Sequence, residues 1–121
     1  MYPTIFSQAY AEMYATVKAV DEPGPGGGHH RYNVRIDSQQ FGTLDKLVEF
    51  QEGSVKEVGV NGIQNEHLLA MVIDRLQGFQ SGPYACQENA VALTKLREAM
   101  FWLEERTKDR ANRGVEGKNI A

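Results

Sequence analysis

Cysteine is nearly absent from this chain of 121 residues, in which Cys86 stands alone. One cysteine excludes an internal disulfide and a zinc site built from cysteines, and it is typical of proteins from a reducing compartment. No apolar run approaches the roughly 18 to 20 residues that span a bilayer, and the first residues lack the basic and apolar regions of a signal peptide. The sequence therefore predicts a cytoplasmic protein without a membrane segment, in which Cys86 is packed and inert.

An excess of positive charge is also missing. The chain contains 13 lysines and arginines and 16 acidic residues, so its formal net charge is −3. Proteins that coat long nucleic acids usually present a strongly basic face, so this class is excluded, whereas a small anionic ligand needs only a local positive patch. With 41% hydrophobic and 24% charged residues, the chain has the composition of a globular protein. Its length predicts a single domain over residues 1–121.

Residue patterns typical of enzymes are missing as well. The sequence has no G-x-S-x-G nucleophile elbow, and the glycine-rich residues 21–28 lack the Lys-Ser or Lys-Thr pair of a phosphate-binding loop. His29 and His30 are adjacent, so on a strand they point to opposite sides, and no third metal ligand lies at a useful spacing. Glu104 and Glu105 lie among basic residues and show no pattern of catalytic carboxylates. We therefore expect no catalytic residue, no metal and no cofactor.

Alternating apolar and polar residues in the first half of the chain predict a small antiparallel β-sheet of about three strands. The segments with this pattern are residues 13–20, 30–37 and 47–51. The glycine-rich residues 21–28 form the connection between the first two. The β-rich part of the domain is expected over residues 1–58, and residues 59–121 are expected to be helical.

The second half of the chain predicts a long antiparallel helical hairpin, which makes the fold class α+β. Asn61 and Gln64 have the spacing of a capping box, so a first helix is expected from Asn61 to about Leu76. Glycines and a proline in residues 78–83 predict a turn, and a second helix is expected over residues 86–112. Its seam consists of Asn89, Leu93, Leu96, Met100 and Leu103. The first helix carries more apolar residues than one packed stripe needs, which indicates burial against another subunit. In the second helix, Ala99 and Trp102 widen the apolar surface and are expected to belong to the core.

A stripe of arginines marks the end of the second predicted helix. Arg106, Arg110 and Arg113 follow the i, i+4, i+7 spacing, so they project from one helix face. Guanidinium groups bind phosphate or carboxylate oxygens in pairs, and three on one face favour an anionic ligand. The alternative is that nearby carboxylates neutralise the stripe as ordinary surface ion pairs. The carboxylates in reach are Glu105, Asp109 and Glu116.

Phe79, at the predicted turn, supplies an aromatic face that can stack on a nucleobase. Within one copy of the chain this ring lies far from the arginines, because Arg106 follows Asn89 by about 25 Å along a helix. An antiparallel pair of two copies would place the turn of one copy beside the arginines of the other. The hypothesis that Phe79 and the arginines bind one ligand therefore requires that two copies of the chain assemble.

Several segments taken together resemble the phage Thoeris anti-defence protein 1 family. They are Phe50–Gly53, Gly59–Gly62, Phe79–Gln80, Arg106–Arg110 and Arg113–Gly117. The chain is also similar, more distantly, to anti-CBASS protein 2 through the helical hairpin. The resemblance covers about residues 44–117, whereas the two N-terminal strands agree in type rather than by motif.

The resemblance implies a non-enzymatic phage protein that sequesters a cyclic ADP-ribose isomer, glycocyclic ADP-ribose, in the cytoplasm of the infected host. Bacterial TIR immune enzymes make this signal, and its capture prevents activation of the Thoeris effector. Family members assemble as dimers and often as hexamers, and some bind cyclic di- or trinucleotides in a second pocket. By order and spacing, the ligand-binding residues fall on Phe79, Asn89, Arg106 and Arg110. Arg113 and Gly114 are the candidates for a second anion site.

The residues alone leave a different class of function open. In this alternative the chain is a non-enzymatic phage regulatory or assembly module whose helical pair binds another protein. Neither hypothesis includes a membrane or a long nucleic acid as a partner.

Overall fold

A computed structural model describes residues 2–114, which form two compact units. Of the described residues, 2–53 and 58–62 belong to the sheet unit, and 54–57 and 63–114 belong to the helical unit. The division falls close to the predicted boundary between the β-rich and helical parts. The α+β class and the helical hairpin are confirmed, whereas the assignment of a single domain stays a prediction.

The sheet unit contains four antiparallel strands in the order of the sequence, one more than predicted. The strands are β1 (Thr4–Tyr10), β2 (Met13–Ala19), β3 (Arg31–Ser38) and β4 (Gly42–Glu49). The prediction missed β1 and began the last strand at Leu47 instead of Gly42. β1 and β2 join through Ala11 and Glu12, which have φ values of 47° and 61°. Two-residue turns of this kind usually carry Asn or Gly, so this hairpin has no sequence signal.

Alternation along the strands gives the sheet one apolar and one charged face. On the apolar face, Ala15 lies opposite Ile36 and Ala19 lies opposite Tyr32, and both alanines are buried. Tyr32 also packs edge-on against Phe50, with ring centroids 5.7 Å apart. The core of the sheet unit therefore lies along the paired strands β2 and β3.

On the charged face, the arginines of β3 have carboxylates directly opposite on β4. Arg31 faces Glu49 at 3.6 Å, and Arg35 faces Asp45 at 3.1 Å. Arg35 also donates a hydrogen bond to Asp37 at 3.1 Å. Opposite charges at cross-strand positions stabilise a sheet. These arginines are therefore held in structural ion pairs.

Asp21 closes the connection between β2 and β3. Its Oδ2 atom accepts the backbone N–H of His30 at 3.0 Å, and the His29 ring lies 2.8 Å from its backbone oxygen and 3.4 Å from its carboxylate. Burial raises the pKa of Asp21, but hydrogen bonds from the backbone of His30 and Arg31 and from His29 outweigh it and lower the pKa below 3.8. Within residues 2–114 no cluster of three or more His, Cys, Asp or Glu side chains could hold a metal ion.

Two amide side chains fix the last segment of the sheet unit. Asn61 donates to the backbone oxygen of Glu52 at 2.7 Å and accepts the Glu52 N–H at 2.8 Å. Gln51 accepts the Asn61 N–H at 2.9 Å and donates to the backbone oxygen of Gly59 at 2.9 Å. The prediction that Asn61 caps a helix is therefore wrong, because its side chain binds the backbone of a preceding loop.

The helical unit contains most of the short helix α1 (Val55–Val58) and two long helices, α2 (Asn65–Gln80) and α3 (Gln87–Asn112). The N-cap of α2 is Gln64, whose side chain accepts the backbone N–H of His67, while His67 Nδ1 accepts the Gln64 N–H at 2.9 Å. α2 therefore starts later than predicted, and it runs past its predicted end at Leu76. α3 matches its predicted span.

α2 and α3 pack against each other, and the predicted seam residues are among the less exposed ones on α3. Leu93 is buried, with 7% of its surface exposed. The other seam residues are half-buried, namely Asn89, Leu96, Met100 and Leu103. Across the described part of the chain, no helix is both long and apolar enough to cross a membrane.

Candidate functional site

A cleft of about 680 Å³ opens in the helical unit beside the last turns of α3. This volume lies within the range of about 300 to 1,000 Å³ that is typical of small-molecule sites. α3 contributes Leu103, Arg106, Thr107 and Arg110 to its lining. Two of the predicted ligand-binding residues, Arg106 and Arg110, therefore share one cleft.

The opposite lining comes from the beginning of the helical unit. Val55 and Lys56 of α1 line the cleft, together with Gln64, Asn65 and Glu66 at the start of α2. The sequence analysis named none of these five as ligand-binding residues. In an antiparallel hairpin the first turn of one helix lies beside the last turn of the other, and this was the available signal. This signal was missed because the sequence analysis placed the start of the helix at Asn61, whereas the N-cap is Gln64.

Two of the three carboxylates near the arginine stripe lie within the described residues, and one of them pairs with a member of the stripe. Glu105 forms an ion pair with Lys108 at 3.6 Å, and Asp109 forms one with Arg113 at 3.0 Å. Within residues 2–114 no carboxylate forms an ion pair with Arg106, whose side chain is exposed. Surface ion pairing therefore explains Arg113 but does not explain Arg106.

Arg110 differs from Arg106 in its burial. Only 8% of Arg110 is exposed, although it lies one helical turn further along the same face of α3. Burial restricts the guanidinium, so less conformational entropy is lost when it binds an anion. The cleft thus combines one fixed and one exposed arginine.

Phe79 lies at the other end of the hairpin, in the last turn of α2. The guanidinium carbon of Arg75 lies 5.0 Å from the centre of the Phe79 ring, and Tyr84 meets the ring edge-on at 6.0 Å. A cation therefore already covers one face of Phe79. A nucleobase would stack on the opposite face or displace Arg75.

Asn89 lies in the first turn of α3, close to the connection between the long helices. Gln80 fixes this connection, because its amide donates to the backbone oxygen of Cys86 at 3.1 Å and accepts the Cys86 N–H at 3.0 Å. The sulfur of Cys86 accepts the backbone N–H of Asn89 at 3.4 Å and so caps α3. The prediction of a packed Cys86 is wrong, since the residue is exposed and serves as a helix cap.

The predicted ligand-binding residues fall into two groups within one chain. Arg106 and Arg110 line the cleft, and neither Phe79 nor Asn89 does. The helix rise of 1.5 Å per residue separates Asn89 from Arg106 by about 25 Å along α3. The structure of a single chain therefore does not bring the four residues together, and their joint role stays a prediction.

Arg113 and Gly114, the candidates for a second anion site, form the end of α3. Arg113 is the C-cap and pairs with Asp109 at 3.0 Å, and Gly114 follows with a φ of 72°. A glycine in this left-handed conformation is a common way to end a helix. The second site stays a prediction, and the rest of its motif, Val115–Gly117, lies outside the described residues.

Comparisons with known proteins agree with the helical hairpin. The family model described as the Acb2/Tad1 hairpin domain matches residues 45–108. Thoeris anti-defense 1 of Bacillus phage SBSphiJ7 is 49% identical over 94 residues, which is 78% of this chain and 63% of that protein. The match thus covers less than two thirds of the relative's length. On both the hairpin match and this identity, the chain belongs to the Acb2/Tad1 family.

Proposed function

We propose that this protein is a phage anti-defence sponge, which binds glycocyclic ADP-ribose and thereby blocks activation of the Thoeris effector. The observation that carries the proposal is the cleft that holds Arg106 and Arg110 and leaves Arg106 without a carboxylate partner in residues 2–114. Support also comes from the name of the relative, Thoeris anti-defense 1. The proposed place of action is the cytoplasm of the infected host.

The two arginines would bind the pyrophosphate of the ligand. Each charge-assisted hydrogen bond contributes about 1.5 to 3 kcal/mol, and the planar guanidinium matches two phosphate oxygens at once. Arg110 is buried and Arg106 is exposed, so the pyrophosphate would contact one guanidinium whose position is already fixed. The apolar side chains of Val55 and Leu103 line the same cleft, where they would lower the local dielectric constant and strengthen these contacts.

The base end of the ligand would contact a second copy of the chain. In an antiparallel pair, Phe79 and Asn89 of one copy lie near the cleft of the other, where they supply stacking and a directional hydrogen bond. Stacking of a base on an aromatic ring contributes about 1 to 3 kcal/mol. Each pair of copies would then hold two equivalent sites.

Exposed apolar side chains on the long helices support assembly. Trp102 is 64% exposed, Met71 is 59% exposed, and Phe101 is 51% exposed. Large apolar residues in such numbers on a small domain favour a protein interface. We propose a dimer as the smallest unit and a hexamer as the larger assembly, with cyclic di- or trinucleotides bound at a second site near Arg113 and Gly114.

Sequestration requires tight binding and no chemical conversion. The cleft lining formed by residues 2–114 contains one carboxylate, that of Glu66, and one hydroxyl, that of Thr107, and it contains no histidine, cysteine or serine. General acid–base catalysis needs a group with a pKa near the working pH, and a nucleophile needs an adjacent base. We therefore propose that the protein is not an enzyme.

A release assay tests the function. Purified protein is incubated with glycocyclic ADP-ribose, separated from free ligand by gel filtration and denatured by heat, and the supernatant is analysed by mass spectrometry. Recovery of the unchanged cyclic nucleotide is the expected result, and light scattering of the same sample measures the assembly. A chemically altered product would assign an enzyme instead.

The exposed Trp102 and Phe101 also favour the second candidate, a module that binds another protein. In that case the protein would release no nucleotide, and its size in solution would change only when a protein partner is added. The single assay therefore separates the two functions.

A further inference from the structure

The two edge strands of the sheet differ in how they are protected against pairing with another strand. Within residues 2–114, β1 and β4 each pair with one strand, so each leaves one row of backbone groups without a partner strand. Exposed edges of native sheets usually carry charged side chains that prevent such pairing. β4 carries Asp45, Lys46 and Glu49, whereas β1, with the sequence TIFSQAY, carries no charge and is exposed along its whole length. β1 is therefore an unprotected edge.

The turn between β1 and β2 determines which backbone groups of β1 point away from the sheet. Both turn residues have positive φ values, and the turn brings Tyr10 opposite Met13. A turn of this kind closes with a hydrogen bond between the residues that flank it. Hydrogen-bonded and non-hydrogen-bonded pairs alternate along antiparallel strands, so the N–H groups of Ser7 and Ala9 point outward. The outer edge thus offers two evenly spaced sets of donors and acceptors.

The residues of this edge have a pattern that is the same in both directions. The pairing of β1 with β2 is regular from Phe6 onward, and in Phe6–Tyr10 an aromatic residue stands at each end, a small residue stands inside each, and Gln8 is central. Phe6, Gln8 and Tyr10 lie on the apolar face of the sheet, which holds the buried Ala15. Phe6 is 54% exposed and Tyr10 is 41% exposed. An antiparallel second copy of the strand therefore matches this edge at every position.

We propose that β1 is a docking edge for β1 of a second copy of this chain, in antiparallel orientation and with the two-fold axis at Gln8. Ser7 of each copy then lies opposite Ala9 of the other, and their outward backbone groups exchange hydrogen bonds. Phe6 lies opposite Tyr10 of the other copy, and aromatic cross-strand pairs stabilise a sheet. Each Gln8 amide has a donor and an acceptor, so the two amides bind each other at the axis.

This edge is separate from the helical surface that we propose for assembly of the long helices. It lies in the sheet unit, and none of its residues belongs to the proposed ligand site. The inference therefore does not depend on ligand binding. A two-fold contact at β1 that alternates with a two-fold contact of the hairpins builds assemblies with an even number of copies, and a hexamer meets this condition.

Charge substitution at Gln8 tests the pairing, with the mass in solution measured by light scattering. Gln8→Lys and Gln8→Glu each place two like charges opposite each other, so each variant alone should have at most half the mass of the original assembly. An equimolar mixture of the two variants brings opposite charges together across the axis and should recover the original mass. Leu44→Lys, an exposed position on the same face of β4, is the matched control and should keep the original mass.

A cross-link provides a second measurement that does not depend on the charge variants. Cys86 is the single cysteine, so Cys86→Ser combined with Gln8→Cys leaves one thiol in each copy. The Cα atoms of a non-hydrogen-bonded antiparallel pair lie about 4.5 Å apart, within the range of about 4.4 to 6.8 Å found in disulfides. Mild oxidation should therefore give a two-copy band on a non-reducing gel. Leu44→Cys with Cys86→Ser is the control and should remain a single chain.

The outcomes decide the inference independently of the sponge function. If the original protein is a monomer, or if Gln8→Lys keeps the original mass, the contact at β1 is refuted. If the mixture of Gln8→Lys and Gln8→Glu does not regain the original mass, the axis at Gln8 is refuted. If circular dichroism shows that either charge variant is unfolded, the cross-link of Gln8→Cys decides: its formation supports the contact, and its absence refutes it.

Discussion

Arginines in the two units of this protein occupy opposite electrostatic surroundings. In the sheet unit, Arg35 lies between Asp37 and Asp45, each at 3.1 Å. In the helical unit, Arg106 lines a cleft and forms no ion pair with a carboxylate of residues 2–114. Both side chains are partly or fully exposed, so exposure does not distinguish them. The arrangement of the neighbouring carboxylates distinguishes Arg35 from Arg106.

The comparison shows how a chain of net negative charge can hold an anion. The sheet places each acidic residue of β4 opposite an arginine of β3, so the charges cancel locally. On α3, Glu105 and Asp109 pair with Lys108 and Arg113, and among residues 2–114 no carboxylate forms an ion pair with Arg106. If the cleft binds an anion as proposed, the local pairing of charges and not the net charge of the chain determines the position of the site.

The largest expected effect comes from removing the two arginines of the cleft. Arg106→Ala combined with Arg110→Ala should weaken binding of glycocyclic ADP-ribose at least about 100-fold, since each guanidinium contributes about 1.5 to 3 kcal/mol. Arg31→Ala combined with Arg35→Ala, in the sheet, is the matched control and should leave affinity unchanged. Isothermal titration measures both. Equal losses of affinity in the two double variants would contradict the expectation that the arginines of the cleft, and not those of the sheet, bind the ligand.

Two glycines, one in each unit, differ in how they tolerate an added methyl group. At Gly62, in the sheet unit, a Cβ would lie 2.6 Å from the backbone oxygen of Phe50 and 2.7 Å from the backbone nitrogen of Gln51. Backbone cannot move away cheaply, so Gly62→Ala should destabilise by about 3 kcal/mol. At Gly78, inside α2, nothing lies within 4 Å of the added Cβ, and alanine should stabilise by about 0.5 to 1 kcal/mol. Urea denaturation compares them, and a stable Gly62→Ala protein would contradict the expected clash.

Substitution of Phe79 tests whether the base of the ligand stacks on this ring. Phe79→Leu keeps an apolar side chain but removes the aromatic face, so affinity for glycocyclic ADP-ribose should fall about tenfold, whereas Phe79→Trp should retain it. Phe41, which is 81% exposed in the sheet unit, provides the control Phe41→Leu. Isothermal titration of the three variants with glycocyclic ADP-ribose measures these affinities. Full affinity in Phe79→Leu would mean that the base does not stack on this ring.

The smallest expected effect is a pH dependence of the sheet. A hydrogen bond from Thr43 at 2.8 Å, together with Arg35, holds the pKa of Asp37 below 3.8. A carboxylate whose pKa is lower in the folded state stabilises the fold above the unfolded value and loses that contribution as the pH falls below it. The melting temperature should therefore decrease slightly between pH 4 and pH 3. Asp37→Asn should melt lower than the original protein at pH 7 and approach it at pH 3; a constant difference would exclude Asp37 as the source.

Much of the helical unit could be predicted from the sequence, because its signals are local. The seam from Asn89 to Leu103 follows helical periodicity, and the glycine and proline of residues 78–83 mark the connection between the helices. The predicted start of α2 was wrong because the sequence allows either Asn61 or Gln64 to be the N-cap. Tertiary hydrogen bonds to Glu52 decided between them, and no local pattern contains that information.

The site was only partly predictable for the same reason. Arg106 and Arg110 have a spacing that shows a shared face of α3, whereas Lys56 and Gln64 enter the cleft through the packing of α1 and α2. Their distance in sequence from the arginines gives no periodic signal. β1 was missed because Ala11 and Glu12 form its turn in a conformation that these residue types seldom adopt.

The helix cap at Cys86 makes the protein easy to label at one position. Its sulfur is exposed and is the single thiol of the chain, so a maleimide dye would attach there alone. The dye would lie one helical turn from Asn89, so a change in its emission on addition of a nucleotide would test the proposed contact at Asn89. Alkylation would also weaken the sulfur as an acceptor for the Asn89 N–H, so fraying at the start of α3 would accompany the label.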